Sequence, residues 1–393
     1  MTLRCIVCGR EYENAMVCEC GGLLEVVGRP LTVGRDTFDA RRASRRAIDQ
    51  SGVWRFREGV LDVDEASIIT HPEGATRLYE RDGVFFKHEG ENPTGSFKDR
   101  GMTVAMTQAV RVGARAVACA STGNTSASLA AYAAQAGLRA IVFIPAGKIA
   151  GGKLAQTLAY GALVLAVRGD FDAAMRLVLD ASRRFGIYLV NSINPFRIEG
   201  QKTIIWELLQ DLDWRAPDWI VVPAGNLGNT SAFGKALVEA RDAGWIDKLP
   251  RLAAIQARGA NPFYRSFRDD FATRHRVSAE TIASAIRIGD PVSHDRAVAA
   301  IRATDGVVEE VTDDEIMAAK RDIDRMGIGC EPASAATLAG LRKLGLKGTI
   351  VCVLTGHLLK DPDAVGGEVV EIDADVEQLG VILRRADAEG PGT

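Results

Sequence analysis

From about Val84 onward, short apolar and β-branched runs alternate with longer amphipathic ones, and no other feature constrains the fold as much. Val84–His88 predicts a strand, and Ser96–Val112 a helix stopped by Gly113. Ala116–Ala120 predicts a strand, Thr125–Ala136 a helix stopped by Gly137, and Ala140–Ile144 another strand. Leu163–Val167, Ile187–Val190, Trp219–Val222, Leu252–Gln256 and Ile350–Leu354 continue the series. Strands this short and apolar, separated by helices, point to parallel sheets covered on both faces. The units are too many for one small sheet. The expected class is therefore α/β, with two doubly wound parallel-sheet domains. Residues 29–91 and 191–393 are assigned to a larger domain and 92–190 to a smaller, mobile α/β domain. A cysteine- and glycine-rich extension over residues 1–28 precedes them. From Leu383 the chain turns polar and ends Gly-Pro-Gly-Thr, which reads as a fraying tail.

Composition removes several function classes. Hydrophobic residues make up 47% and charged residues 25% of the 393, as in an ordinary globular protein. A net charge of −3 gives no electrostatic reason to expect nucleic acid or an anionic membrane as partner. No apolar run approaches the ~20 residues that cross a bilayer. Met1-Thr2-Leu3-Arg4-Cys5 carries no apolar segment of the signal-peptide kind. Seven cysteines, with Cys119, Cys330 and Cys352 in apolar contexts, do not form a secreted disulfide framework. The expected location is the cytoplasm. The basic cluster Arg41–Arg46 reads as a solvated helix face or an interface.

In open α/β sheets, ligands bind beyond the carboxyl ends of strands, so the loops there carry the chemistry. The first loop runs His88-Glu89-Gly90-Glu91-Asn92-Pro93-Thr94-Gly95-Ser96-Phe97-Lys98-Asp99-Arg100-Gly101. Gly90 and Gly95 have P-loop spacing, but Ser96 stands where the P-loop lysine belongs. Lys98 instead falls in the first turn of a helix, where the helix dipole and partial burial disfavour the charged ammonium. It is either a nucleophilic amine or a surface lysine. The second loop, Ser121-Thr122-Gly123-Asn124-Thr125, gathers hydroxyls, an amide and helix-start N–H groups, which suit a carboxylate; simple N-capping would need only one of them. In the third, Gly225-Asn226-Leu227-Gly228-Asn229, successive backbone N–H groups can close around a phosphate. The fourth, Thr355-Gly356-His357, offers a hydroxyl at the end of a late strand. An amine, a phosphate cradle, a carboxylate cradle and a hydroxyl for a ring nitrogen are together what pyridoxal phosphate (PLP) chemistry on an amino acid requires.

These residues resemble the fold type II PLP-dependent enzymes, and within them the threonine synthase family. Asn92–Gly101 is similar, nearly letter for letter, to that family's cofactor-lysine segment. Ser121–Thr125 resembles its substrate-carboxylate loop, Gly225–Asn229 its cofactor-phosphate loop, and Thr355-Gly356 its pyridine-nitrogen site. Asn191-Ser192-Ile193-Asn194-Pro195-Phe196-Arg197 resembles the segment that grips a substrate phosphate. Glu73–Leu78 and Cys330–Ala335 match further family segments. The resemblance covers most of the chain, about residues 71–357. It implies that Lys98 carries the cofactor and acts as base, that Asn124 bonds the ring hydroxyl, and that Thr355 meets the ring nitrogen. It implies Gly225, Asn226, Leu227, Gly228 and Asn229 for the cofactor phosphate. It implies Ser121, Thr122 and Thr125 for the substrate carboxylate, and Asn191, Ser192 and Arg197 for the leaving phosphate. The implied reaction is O-phospho-L-homoserine plus water to L-threonine plus phosphate, in a homodimer. A sulfite-using relative such as a cysteate synthase, or a catalytically silent binding relative, is the alternative. Asp290 stands where the family pattern leads one to expect Asn, and would add negative charge near the ring.

Cys5, Cys8, Cys18 and Cys20 pair as Cys-x2-Cys and Cys-x-Cys, with Gly9, Gly21 and Gly22 beside them. Four thiolates at that spacing suit a tetrahedral structural zinc, and a metal-free ribbon is the other reading. The five histidines form no cluster.

Overall fold

The computed structural model describes residues 2–28, 31–147, 151–169, 171–365, 369–374 and 376–389. Among these, three sheets are present. Strands β1 (Thr2–Cys5), β2 (Glu11–Tyr12) and β3 (Leu24–Val27) form a small antiparallel ribbon in the order β2-β1-β3. Strands β4 (Leu78–Arg81) and β5 (Val84–His88) belong to a six-stranded sheet. It is completed by β10 (Trp219–Pro223), β11 (Arg251–Ala257), β12 (Val307–Val311) and β13 (Ile350–Leu354), in the order β12-β11-β10-β13-β5-β4. Strands β6 (Ala116–Ala120), β7 (Arg139–Pro145), β8 (Leu163–Val167) and β9 (Tyr188–Leu189) form the third sheet, all parallel, in the order β8-β7-β6-β9.

The expected strands are all present, and beyond the three of the ribbon two more appear, both in the large sheet. β4 runs antiparallel to β5, so the large sheet is mixed at one edge rather than wholly parallel. β4 and β12 are the two edge strands, and both carry charge: Glu80 and Arg81 in one, Glu309 and Glu310 in the other. Edge strands are commonly charged to block further pairing, and that charge hides them from a search for apolar runs.

The site is carried by helices α1 (Lys98–Arg111), α2 (Asn124–Ala136), α3 (Pro195–Gln201), α4 (Thr203–Asp211), α5 (Gly228–Asp242), α6 (His294–Ala303) and α7 (Pro332–Leu344). α1 is buried nearly all round. Met102, Ala105, Met106 and Ala109 share a core with Val117, Cys119 and Leu129 of the third sheet's layer. Val104 faces the other way, into the core that contains Phe196, Ile205 and Trp206. α1 and α3 nearly touch: a Cβ on Gly200 would sit 1.8 Å from Arg100 O, and one on Gly101 would sit 2.9 Å from Arg197 O. Glycines there cost helix propensity of about 1 kcal/mol each but let the two helices close. The C-terminal region departs from expectation. Val376–Glu389 is a helix, α8, where a polar tail was expected from Leu383; residues 390–393 lie outside the described residues.

Candidate active site

Lys98 opens α1, and the loop before it is pinned to the carboxyl end of β13. Phe97 N–H donates to Thr355 O at 3.0 Å, His357 N–H donates to Gly95 O at 3.0 Å, and Ser96 bridges Gly356. The lysine is half-buried, with Nζ 4.1 Å from the centre of the Phe97 ring. Burial drives its pKa down to about 7. The Arg197 guanidinium pushes the same way and Glu331 opposes both. An amine with a substantial uncharged fraction at neutral pH is what a nucleophile or base requires.

Arg197, on α3, is the electrostatic counterpart. It is buried, and its Nη1 donates to Val190 O at 3.2 Å, while Nε and Nη2 have no partner among the described residues. Glu199, two residues on, is taken by Lys202 and Lys235 at 2.5 Å each. A surface pairing of Arg197 with Glu199 is thus ruled out. Burial without a counter-charge lowers the Arg197 pKa to about 10. A buried guanidinium with no counter-ion is costly, and an anion placed against it relieves that cost.

More unpartnered buried polar atoms belong to the same helix starts. Among the described residues they are Asn229 Nδ2 and Oδ1 and Thr230 Oγ1 in the first turn of α5 and Ser293 Oγ just before α6, with Gln201 Oε1 at the end of α3 beside them. A Cβ on Gly228 would stand 3.2 Å from Gln201 Oε1, so α3 and the start of α5 lie side by side. The Gly225–Asn229 loop enters α5 through Leu227 at φ +63°, a left-handed conformation that leucine holds only when its surroundings impose it. The first N–H groups of α5 have no intrahelical acceptors. Donors and orphaned side chains on adjoining helix starts fit phosphate. Asn226 contributes differently from Asn229: its Nδ2 donates to Ser192 Oγ at 2.8 Å and its Oδ1 accepts from Val292 N–H at 2.6 Å. Its side chain therefore fixes the loop.

Asn124 opens α2, and its Nδ2 donates to Glu331 Oε2 at 3.0 Å. Thr355 Oγ1 donates to Glu331 Oε1 at 3.3 Å and lies 3.1 Å from Ser334 Oγ. One buried carboxylate thus joins the amide and the hydroxyl expected to meet a pyridine ring. Sequence reasoning matched Cys330–Ala335 to a motif but gave Glu331 no role. The available signal was an acid just before the helix-opening Pro332, in an otherwise small and apolar segment. Ser121, Thr122 and Thr125 are half-buried around Asn124, and Ser121 Oγ accepts from Gly123 N–H at 3.2 Å.

Asn191 is partly committed: its Oδ1 accepts from Ala120 N–H at 3.1 Å and its Nδ2 donates one proton to Ala120 O at 3.2 Å. It anchors the end of β6, before Ser121, and keeps its second amide proton. One expectation changes. Asp290 pairs with Arg274 at 2.8 Å and Arg276 at 3.0 Å, part-exposed, so its charge is met by arginines rather than left to act on a ring.

The four N-terminal cysteines converge. Their sulfurs lie within 4.8 Å of one another, with separations of 3.5 Å for Cys5–Cys20, 3.5 Å for Cys8–Cys18 and 3.3 Å for Cys18–Cys20. Zn–S bonds of ~2.3 Å in a tetrahedron put sulfurs about 3.8 Å apart, so the set fits zinc after a small expansion. Gly21 takes φ +81°, and a Cβ on Gly22 would sit 2.7 Å from Cys5 Sγ. The paired glycines thus make the tight Cys-x-Cys turn possible.

The chain is similar to known proteins along most of its length. Residues 67–356 match the family described as pyridoxal-phosphate dependent enzymes. The chain is 46% identical to a threonine synthase of Methanocaldococcus jannaschii, over 98% of this chain and 100% of that one. It is 45% identical to a threonine synthase of Methanosarcina acetivorans, over 96% of this chain and 97% of that one. Its fold resembles the crystal structure of threonine synthase from Escherichia coli, with a TM-score of 0.76 at 18% identity, covering 96% of this chain and 94% of that one.

Proposed function

Because the chain belongs to the threonine synthase family of pyridoxal-phosphate dependent enzymes, we infer that it converts O-phospho-L-homoserine and water to L-threonine and phosphate. The observation that carries the substrate class is Arg197: a buried guanidinium with two unpartnered nitrogens, near enough to Lys98 to depress its pKa.

Bound PLP supplies an aldehyde for the lysine amine and a ring that stabilises negative charge on the amino-acid carbons. We assign Lys98 Nζ to hold it. The N–H groups of Gly225–Asn229 with the Asn229 amide take its phosphate, Asn124 its ring hydroxyl and Thr355 its ring nitrogen. The Ser121, Thr122 and Thr125 hydroxyls fix the substrate carboxylate, which orients the Cα–H bond. Lys98 Nζ takes that Cα proton and serves the later proton transfers at Cβ and Cγ. Arg197 Nε and Nη2, with Ser192 Oγ and the second Asn191 amide proton, hold the leaving phosphate. Asn191 also acts through Ala120, by fixing the strand end from which Ser121 departs.

The same reading gives Cys5, Cys8, Cys18 and Cys20 one structural zinc, supported by the closeness of their sulfurs. It places residues 92–190 in the smaller, mobile unit, supported by β6–β9 all falling in that span. It makes the protein a cytoplasmic homodimer that binds neither nucleic acid nor membrane. The dimer is supported by exposed Val369, Val370 and Ile372 before α8 and exposed Leu379 and Leu383 on it. Among the described residues, no helix is long and apolar enough to cross a membrane.

Arg197→Ala tests the substrate class. Losing a hydrogen bond to a charged group costs about 1.5–3 kcal/mol, so kcat/KM for O-phosphohomoserine should fall roughly 10- to 150-fold. PLP-dependent side reactions on serine or threonine should change far less. Equal losses on both substrates would refute the phosphate assignment.

A further inference from the structure

The hydroxyls around Glu331 have a closed proton inventory. A hydroxyl offers one proton and two lone pairs. Ser334 Oγ accepts from Thr355 N–H at 2.8 Å and from Gly356 N–H at 3.1 Å, which fills both lone pairs. Its proton must therefore go to Thr355 Oγ1, 3.1 Å away. Thr355 Oγ1 thus already accepts one bond, and its own proton must point elsewhere. In the structure that acceptor is Glu331 Oε1 at 3.3 Å, while Glu331 Oε2 accepts from Asn124 at 3.0 Å. Glu331 cannot swing away: it is buried, and Gly356 packs so close that a Cβ there would sit 2.4 Å from the carboxyl carbon.

We propose that Glu331 is a positioning residue that decides whether the Thr355 hydroxyl donates to the carboxylate or to the cofactor's ring nitrogen. The proposal rests on the assignment of Thr355 to that nitrogen. When Glu331 is ionised, it takes the Thr355 proton, and Thr355 can offer the ring only a lone pair, which favours a nitrogen that carries its own proton. When Glu331 is neutral, its pull on the Thr355 proton weakens, and Thr355 donates to an unprotonated nitrogen. A protonated ring withdraws electrons more strongly, so Glu331 tunes the electron sink from a distance. The groups facing it are Asn124 from α2, Thr355 from the end of β13, Lys98 from α1 and Lys360 from beyond β13. Burial raises the Glu331 pKa above the ordinary carboxyl value, and Asn124, Lys360, Lys98 and Thr355 only partly offset it.

The test uses holoenzyme loaded with PLP labelled with nitrogen-15 in the ring, followed by NMR over the whole pH range in which the enzyme stays folded. In the wild type the ring-nitrogen resonance should move with pH as Glu331 titrates. In Glu331→Gln, the amide oxygen faces Asn124 and the amide N–H donates to Thr355 Oγ1, filling its second lone pair. The Thr355 proton is then directed to the ring at every pH, and the movement should be lost. Thr355→Val should also abolish the response, and it serves as the second variant if Glu331→Gln does not fold. An unchanged pH response in either variant, or a pH-independent wild-type resonance, overturns the proposal. Borohydride reduction and mass spectrometry of the wild type keep the two layers apart. A cofactor adduct on Lys98 with an unchanged response in the variants sinks only the role of Glu331. No adduct sinks the cofactor assignment and this inference together.

Discussion

Lys98 shows how one residue's chemistry is set by its surroundings. Its ammonium is disfavoured first by burial and then by the Arg197 guanidinium, and the Glu331 carboxylate only partly restores it, leaving the pKa at about 7. The apo protein should therefore capture the PLP aldehyde covalently at a rate that rises with pH up to about 7 and levels off above it. An ordinary lysine would give a rate still climbing toward 10.5. Stopped-flow absorbance against pH reads this, with Lys98→Ala as the blank that captures nothing. A profile climbing past pH 9 would refute the depressed amine. The sequence alone indicated a lysine in the first turn of a helix, and that is where it lies. It could not indicate the depth of the depression, because the largest partner, Arg197, is 99 residues away in the chain. Glu331 escaped notice for the same reason: its meaning lies in Asn124 and Thr355, which only the fold brings to it.

At the level of elements, the inner strands were legible because both their faces are buried, and an apolar run such as Ile350–Leu354 has no polar side to obscure it. β4 and β12, half-solvated edges, were not legible. The ribbon shows an arrangement that spacing could not reveal. Its strand β3 lies across the helices that carry the proposed anion cradle. Lys235 of α5 donates to Val26 O at 2.7 Å and also binds Glu199 of α3, and Arg296 of α6 donates to Leu24 O. The ribbon's Leu3, Leu24 and Val26 share a core with Phe196 and Ile198 of α3. A zinc that stiffens the ribbon should thus support the body rather than take part in the reaction. Protein purified without added metal should contain one zinc per chain, and Cys8→Ser should lower both metal content and melting temperature. If stripping the metal erased activity while the melting temperature stayed unchanged, a purely structural role would be wrong.

Across the whole molecule, the helix that carries Lys98 is joined to the large sheet by a buried ion cluster rather than by apolar packing alone. Arg100 of α1 binds Glu89 at 2.6 Å and Glu207 of α4 at 2.8 Å. Lys87 of β5 binds Glu207 and Asp211 at 2.7 Å each. Glu207 also accepts the Ala75 and Thr76 N–H groups at 2.8 and 3.0 Å. A single carboxylate therefore ties together segments from residues 75, 87, 100 and 207. Burial alone would raise the Glu207 pKa, but Arg100, Lys87 and Arg55 hold it far below the ordinary 4.5. Glu207→Gln removes the shared partner of two buried cations. Breaking a buried pair on one side costs about 3–5 kcal/mol, so urea unfolding at neutral pH should show a loss of that size. The sign of the pH dependence follows from the lowered pKa. The stabilisation is fully present above about pH 4.5, where the unfolded carboxyl is ionised too, and fades as pH falls below it. The difference between wild type and variant should therefore shrink on acidification. A difference that stays constant from neutral pH into the acid range would show that the charge of Glu207 does not hold these segments together.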